Sequence, residues 1–170
     1  MLERIILTGL MCTGKSTVGR LVAERLGWEF VDFDSAIEAT QNQTITEIFR
    51  EHGEPFFRAL EAKMTAEVAD RWRVVLATGG GWVTHPELVD RLKPRSLIIW
   101  LRARPETVYE RHRGQADVVR PLLETDRPLD VIRAMLGERA PLYEQADAAV
   151  DTDAREPKEI AHQIATMVGQ

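Results

Sequence analysis

The amino-acid sequence predicts an α/β fold in which a five-stranded parallel sheet is covered by helices on both faces. Five short apolar segments alternate along the chain with segments of helical periodicity, as in folds built from strand-helix-strand units. One of them, residues 74–77, is apolar at every position, which is typical of a parallel strand buried on both faces. Glycines or aspartates follow three of the five segments, so we expect a binding site beyond the carboxyl ends of the strands.

The composition fits a single domain over residues 1–170 with a core of ordinary size. The single cysteine excludes an intramolecular disulfide, and we expect a cytoplasmic monomer without a targeting segment or a membrane span. Lys and Arg number 22 against 27 Asp and Glu, and the net charge of −5 predicts no general attraction to nucleic acid or anionic membrane. The four histidines are scattered, which disfavours a structural zinc site.

The first apolar segment leads into the stretch from Gly9 to Ser16 and then into a helical pattern. Strand, loop and helix in this order are the setting of a phosphate-binding P-loop. Gly9 and Gly14 let backbone N–H groups converge on an anion, and the helix start adds its dipole. Lys15 supplies positive charge to the phosphates, and Ser16 supplies a hydroxyl for Mg²⁺. The remaining predicted nucleotide contacts are Cys12, Thr13 and Thr17, of which Cys12 is interpreted as a filler position rather than a nucleophile.

Two carboxylates, Asp32 and Asp34, close the second predicted strand, which spans residues 29–31. Like charges are costly to bury without cations, so a buried structural pair is disfavoured. Beside a P-loop the two aspartates favour a metal and substrate site, with a solvated turn as the alternative.

Two helices follow, one opened by the capping-box sequence Thr44–Glu47 and stopped at Gly53, the other opened by Pro55. The apolar stripe of the second helix consists of Phe57, Leu60, Met64, Val68 and Trp72. Arg58 and Glu61 lie three residues apart on a neighbouring face, where they are able to pair. The alternative for Arg58 is a surface ion pair of little energetic value.

The predicted buried strand at residues 74–77 runs through Thr78 into three successive glycines, Gly79 to Gly81. Consecutive glycines cost chain entropy, which indicates a close approach of the backbone to a ligand. A helix over residues 86–92 and a buried strand over residues 96–101 follow, with Trp100 expected in the core.

The last third of the chain contains a segment without a persistent period. A predicted helix begins at Pro105 and loses its periodicity at residues 113–121. These residues include Gly and Pro and are interpreted as a mobile loop. Arginines are frequent around this loop, but acidic residues nearly match them, so a nucleic-acid patch is not supported. The remaining predicted elements are a helix from Pro128 that carries Arg139, a strand over residues 148–150 and a helix from Pro157.

In combination these motifs resemble shikimate kinases over almost the whole chain. The motifs occur in the order Gly9-x4-Gly14-Lys15-Ser16, Asp32-x-Asp34, Phe57-Arg58, Gly79-Gly80-Gly81, Arg120-Pro121-Leu122-Leu123 and Arg139-x-Pro141-x-Tyr143. The resemblance implies a P-loop kinase of the nucleoside-monophosphate-kinase-like type, with substrate-binding helices at about residues 34–62 and a mobile lid at about residues 113–125. It also implies ATP and Mg²⁺, and transfer of the γ-phosphoryl group to the 3-hydroxyl of shikimate in aromatic amino-acid biosynthesis.

The resemblance also implies roles for individual residues. The implied shikimate contacts are Asp34, Arg58, Gly79, Gly80, Gly81 and Arg139, with Glu61 as a supporting acid. The implied catalytic residues are Lys15, Asp34 and the lid arginine, Arg120, which also reaches the nucleotide. Ser16 and Asp32 match the Mg²⁺ side, and Arg113 and Arg155 match positions that bracket adenine.

Trp82 departs from the family pattern, which leads us to expect a small residue directly after the glycines. Its indole is expected either at the edge of the shikimate pocket or against a neighbouring helix.

The chemistry of the matched residues suits this acceptor. Shikimate is a carboxylate that carries hydroxyls, so the guanidinium groups of Arg58 and Arg139 suit the carboxylate, and Asp34 suits a hydroxyl. The first rival function is another P-loop small-molecule kinase of the gluconate or nucleotide type. A GTP-dependent switch is disfavoured because none of the four lysines lies in an Asn/Thr-Lys-x-Asp motif. A catalytically idle binding protein is disfavoured because every charged catalytic position is filled.

Overall fold

The computed structural model describes residues 2–115 and 118–168. Its strands are β1 (Arg4–Thr8), β2 (Glu29–Asp32), β3 (Val74–Ala77), β4 (Ser96–Arg102) and β5 (Ala148–Asp151). All neighbours are parallel, in the order β2-β3-β1-β4-β5. The predicted five-stranded parallel sheet is therefore confirmed. Because β1 is the central strand, the loop that follows it opens at the middle of the carboxyl edge.

Helices cover both faces of the sheet. They are α1 (Lys15–Leu26), α2 (Phe33–Gln41), α3 (Ile45–Val68), α4 (Pro86–Leu92), α5 (Pro105–Arg113), α6 (Pro128–Tyr143) and α7 (Pro157–Val168). Alternate residues of β1 enter different apolar cores, since Ile6 packs with residues of α3, α4 and α6, whereas Ile5 and Leu7 pack with α1 and α7. Two-sided burial explains why the strands are apolar without alternation. No helix within the described ranges is both long enough and apolar enough to span a bilayer.

Helix α3 is bent at the position where the sequence predicts one helix to stop and another to begin. Gly53 has a φ of +80°, a conformation that glycine adopts without a steric penalty, and Pro55 follows two residues later. The predicted capping box is confirmed, because the Thr44 backbone N–H donates to Glu47 Oε2 at 2.7 Å while the Glu47 N–H donates to Thr44 Oγ1 at 3.2 Å. The bend lets the second half of α3 pass beside the carboxyl edge of the sheet.

Two features differ from the sequence-based expectations. Trp72 does not continue the apolar stripe, because α3 ends at Val68 and the Trp72 side chain is 67% exposed. The segment after β2 is helical, and the element-by-element prediction did not include this helix, α2. Asp32 caps α2 by accepting a hydrogen bond from the Ser35 N–H at 3.1 Å.

The predicted lid begins where α5 ends, at Arg113, and includes a short 3₁₀ turn at Pro121–Leu123. Two of its residues, Ala116 and Asp117, lie outside the described residues.

Candidate functional site

The loop between β1 and α1 has the backbone geometry of a P-loop. Gly9 and Gly14 have φ values of +139° and +93°, which residues with a side chain rarely adopt. A Cβ on Gly9 would also lie 2.5 Å from the carbonyl oxygen of Leu101, so β4 leaves room only for glycine there. The buried Thr13 hydroxyl donates to the Leu10 carbonyl at 2.8 Å, which closes the loop across its base.

Lys15 supplies the positive charge of this loop, and its ammonium group lies against the loop backbone. Its ammonium group donates to the carbonyls of Gly9 and Leu10, both at 2.8 Å. Burial lowers the pKa of Lys15 to about 8, against the opposing attraction of Asp34 and Asp32. Burial raises the pKa of the Cys12 thiol although Arg120, Lys15 and Arg111 oppose the shift, which fits a filler residue and not a nucleophile.

Ser16 and Asp32 bring two oxygen ligands together at one wall of the loop. The Ser16 hydroxyl donates to one carboxylate oxygen of Asp32, and the other oxygen caps α2. Hydroxyl and carboxylate oxygens are ligands that Mg²⁺ accepts, and Mg²⁺ bound to nucleotides takes few ligands from the protein. This pair therefore fits the metal that a P-loop kinase uses, although the described residues contain no cluster of three metal-binding side chains.

The P-loop forms one wall of a cavity of about 490 Å³. Arg111 also lines this cavity, and it donates to the Cys12 carbonyl at 3.1 Å and to the Thr152 carbonyl at 2.8 Å, which ties the P-loop to the segment after β5. Arg155 also lines this cavity, as predicted, and donates to Gln163 Oε1 at 2.8 Å.

Arg113, a predicted nucleotide contact, is exposed and lies over the ring of Tyr109 at 5.8 Å, outside the set of described residues that line the cavity. Arg111, two residues earlier, lines the cavity and was not predicted. Both arginines lie in the last turn of α5, so their side chains leave the helix in different directions.

A second cavity, of about 380 Å³, adjoins the first and combines positive charge with apolar walls. The predicted substrate residues that line it are Asp34, Arg58, Gly79, Gly80, Gly81 and Arg139. The apolar walls come from α3, through Phe49 and Phe57, and from the lid, through Val118, Val119 and Leu122. Such a cavity suits a small anion whose carbon skeleton needs apolar contact.

The glycines after β3 are required by the side chains that surround them. A Cβ on Gly79 would lie 2.7 Å from Glu61 Oε1, and a Cβ on Gly81 would lie 2.6 Å from a terminal nitrogen of Arg58. Within residues 2–115 and 118–168, no protein acceptor is bonded to the N–H groups of Gly79, Gly80 or Gly81. The turn thus lines the second cavity with N–H groups that no described residue accepts, and a side chain at Gly79 or Gly81 would meet Glu61 or Arg58.

Arg58 is held by two acids on its own helix. Its guanidinium group donates to Glu61 at 2.5 Å and to Glu54 at 3.0 Å. The predicted pairing of Arg58 and Glu61 is confirmed, and it is not a surface pair, because Glu61 is fully buried. Burial raises the pKa of Glu61 although Arg58 opposes the shift. The second oxygen, Oε1, has no partner among the described residues.

Arg139 approaches the glycine turn from α6. The Tyr143 hydroxyl, one helical turn later, donates to the Gly80 carbonyl at 2.6 Å, and the Tyr143 ring stacks on Trp100 at 5.6 Å. Trp100 is buried as predicted. The indole of Trp82 is also fully buried and donates to Thr65 Oγ1 at 3.1 Å, so it packs on a neighbouring helix and does not line the substrate cavity.

Asp34 and Arg120 line both cavities and so mark the place where they meet. Arg120 donates to Gln115 Oε1 at 2.7 Å. The Asp34 side chain is exposed to solvent and lines both cavities. Loss of hydration and the nearby charge of Asp32 raise its pKa to about 6, although Lys15 opposes the shift. A carboxylate with this pKa is able to accept a proton near neutral pH.

Comparison with known proteins identifies relatives of this chain. The family model described as shikimate kinase matches residues 11–168. A shikimate kinase from Thermodesulfovibrio yellowstonii is 42% identical over 163 residues, covering 96% of this chain and 93% of the relative. One from Symbiobacterium thermophilum is 44% identical over 161 residues, covering 94% and 92% of the two chains.

Solved structures agree with the sequence comparisons. A shikimate kinase from Acinetobacter baumannii, solved in complex with shikimate, superposes with a TM-score of 0.92 at 36% identity, covering 99% of this chain and 93% of that chain. A gluconokinase from Sinorhizobium meliloti, at 18% identity and a TM-score of 0.65 over 98% and 91% of the chains, shares the fold. The predicted P-loop kinase fold is thus confirmed, and the chain belongs to the shikimate kinase family.

Proposed function

We propose that this chain transfers the γ-phosphoryl group of ATP to the 3-hydroxyl of shikimate. The observation that carries the proposal is the meeting of two cavities at Asp34 and Arg120. One cavity has a phosphate-binding loop, and the other has two arginines and a glycine turn suited to a carboxylate. A phosphoryl group held at the junction would be in reach of both a donor and an acceptor.

The acceptor cavity supports shikimate by its chemistry. Arg58 and Arg139 supply planar guanidinium groups for the carboxylate, and the glycine turn supplies backbone N–H donors. Asp34 accepts hydrogen bonds from hydroxyl groups, and the apolar walls suit the carbon ring. Glu61 holds Arg58 in position through the bond at 2.5 Å and so acts on the substrate indirectly.

The donor cavity supports ATP. The P-loop and Lys15 would bind the β- and γ-phosphates, and Arg111 and Arg155 line the part of the cavity beyond the loop, where a base would lie. Ser16 and Asp32 would hold Mg²⁺, with Asp32 acting through water. When bound, the metal neutralises charge on the phosphates.

The proposed reaction has one proton transfer and one phosphoryl transfer. Asp34 takes the proton from the 3-hydroxyl, whose oxygen forms a bond to the γ-phosphorus as the bond to the ADP oxygen breaks. Arg120 and Lys15 stabilise the negative charge on the transferring group. Residues 113–125 would close over the junction as a lid, because Arg120 and the apolar lid residues already line the acceptor cavity.

An acceptor panel tests the proposed function. ADP release is followed with ATP and Mg²⁺ in the presence of shikimate, gluconate or a nucleoside monophosphate. We expect release that depends on shikimate and on the metal. Turnover on gluconate or a nucleotide, without turnover on shikimate, would assign the chain to a related small-molecule kinase.

We further propose a cytoplasmic monomer. The proposed donor, ATP, is a cytoplasmic metabolite. Sedimentation of the purified enzyme tests the oligomeric state.

A further inference from the structure

The two walls of the acceptor cavity are joined behind the cavity by a buried chain of hydrogen bonds. The indole N–H of Trp82 donates to Thr65 Oγ1 at 3.1 Å, and the Thr65 hydroxyl donates to the Glu61 carbonyl at 2.8 Å. Trp82 and Thr65 are both fully buried. Because the hydroxyl accepts one bond and donates the other, its orientation is determined by both neighbours.

Each end of this chain is attached to a substrate wall. The Trp82 backbone N–H donates to the Gly79 carbonyl at 3.1 Å, so the indole belongs structurally to the glycine turn. Thr65 follows Glu61 by one turn of α3, and Glu61 carries Arg58. The chain of bonds therefore links the glycine turn to the part of α3 that presents the guanidinium group.

The distances across the cavity make the relative position of these walls important. The glycine turn approaches Glu61 and Arg58 so closely that a Cβ at Gly79 or Gly81 would overlap them. A shift of α3 by a few tenths of an ångström would thus change the distance between the glycine turn and Arg58. Both are proposed to contact the same shikimate molecule. The P-loop is bonded to Arg111 of α5, and neither Trp82 nor Thr65 lines the donor cavity.

We propose that Trp82 and Thr65 form a positioning pair that sets the shikimate affinity of this chain. The inference rests on the proposed function. It also explains why a large indole is accommodated directly after the glycines, where the family resemblance led us to expect a small residue. The indole supplies a donor to α3 that a small residue would lack.

Two conservative variants test the pair. Trp82→Phe keeps an aromatic ring but removes the N–H, and Thr65→Val keeps the side-chain shape but removes the hydroxyl. We expect each to raise the shikimate Kd and KM by about three- to tenfold, within the range for residues that affect binding without touching the ligand. The ATP KM should change less than twofold. The double variant should be no worse than the poorer single variant, because both changes break the same link.

Matched controls separate positioning from general packing. Trp28→Phe changes a partly buried tryptophan that packs against the core on the other face of the sheet, and Thr166→Val removes a hydroxyl that donates to the carbonyl four residues earlier on α7. Neither should alter the shikimate Kd. If Trp82→Phe does not fold, Thr65→Val alone decides the matter.

Binding of shikimate by calorimetry distinguishes the two levels of failure. A wild-type enzyme that binds no shikimate would overturn both the proposed function and this inference. A wild-type enzyme that binds shikimate, with folded variants that bind it equally well or lose ATP affinity to the same extent, would overturn the positioning pair alone.

Discussion

Asp34 keeps a carboxylate at a position where its surroundings disfavour negative charge. Loss of hydration, Asp32 and more distant acids all raise its pKa, and Lys15 offsets only part of the shift. A residue retained under such a penalty is typical of functional sites. Its place at the junction of the two cavities gives the reason, since a proton acceptor is needed there.

Asp34→Asn should remove most activity while leaving ATP binding intact. The amide has nearly the same shape, but it accepts a proton poorly and presents a donor to the substrate hydroxyl. We expect kcat to fall by about 10²- to 10⁴-fold, the usual contribution of a general base. Steady-state kinetics and ATP titration check this result. Near-normal turnover would mean that Asp34 is not the proton acceptor.

Asp34→Asn should also be more stable than the wild type, by an amount that depends on pH, because it removes the cost of a charged carboxylate at this position. Between the ordinary pKa of 3.8 and the folded-state value of about 6, the folded protein holds the Asp34 proton longer than the unfolded chain does. The stability of the wild type is therefore lowered as the pH rises through this window. Asp34→Asn should melt near the wild-type Tm at pH 4 and above it at pH 7. Contact with cavity water screens the charge, so the gain should stay below about 2 kcal/mol.

Thermal melts of the two proteins at several pH values provide the measurement. A Tm difference that is constant with pH would show that Asp34 has an ordinary pKa in the folded protein.

The assignment of the arginines shows what could be predicted from single residues. Arg58 and Arg139 were predictable because fixed spacings tie them to Glu61 and to the Pro141-x-Tyr143 segment. Arg111 was not predicted, although it lies in the same helical turn as Arg113, because no local pattern shows which side chain enters the cavity. Hydrogen bonds to the carbonyls of Cys12 and Thr152, which are distant in sequence, hold the Arg111 side chain at the cavity.

The lid and α6 contribute arginines with different proposed tasks. Arg120→Ala should lower kcat by about 10²- to 10³-fold with a small change in shikimate KM, because its charge is needed chiefly in the transition state. Arg139→Ala should raise the shikimate KM by about 10- to 100-fold, because it removes charge-assisted bonds to the ground-state carboxylate. Measuring both constants for each variant checks the division. Identical kinetic profiles would contradict it.

The glycine turn allows a test that alters the site without altering the core. A Cβ on Gly81 would lie 2.6 Å from the end of the Arg58 side chain, which is flexible enough to move aside. Gly81→Ala should therefore fold normally but raise the shikimate KM severalfold. Gly137→Ala, where nothing lies within 4 Å, should leave KM unchanged and stabilise α6 by roughly 0.5–1 kcal/mol.

Kinetic assays and melting curves of the two variants decide the outcome. An unchanged shikimate KM in folded Gly81→Ala would show that Arg58 does not contact the substrate from its present position.

The helices and strands were predicted well wherever glycine, proline or a cap marks a boundary. The break of α3 at Gly53 and the starts of α5, α6 and α7 are examples, because these residues act on their own backbone. The end of α3 was placed too late, since Trp72 continues the apolar spacing although the helix has stopped at Val68. The hydrogen-bond partner of Trp82 could not be predicted from the sequence either, because Thr65 lies next to it only when α3 packs beside the glycine turn.

The strand order explains how distant motifs come to form one site. β1 lies between β3 and β4, and β2 lies beside β3, so the P-loop, the aspartates after β2 and the glycine turn after β3 meet at adjacent positions of the carboxyl edge. The sequence indicates this edge as the site because parallel strands bring their ends together. The junction of the two cavities, in contrast, depends on where the lid and α3 lie, which no local motif determines.

Phosphorus NMR of the reaction mixture tests whether the enzyme transfers a phosphoryl group to one hydroxyl of shikimate. With ATP, Mg²⁺ and shikimate, we expect a new phosphomonoester signal that correlates with the proton on carbon 3 of the ring, in amounts equal to the ADP formed. A signal of free phosphate alone, or a phosphoester on another carbon, would show that the 3-hydroxyl is not the acceptor.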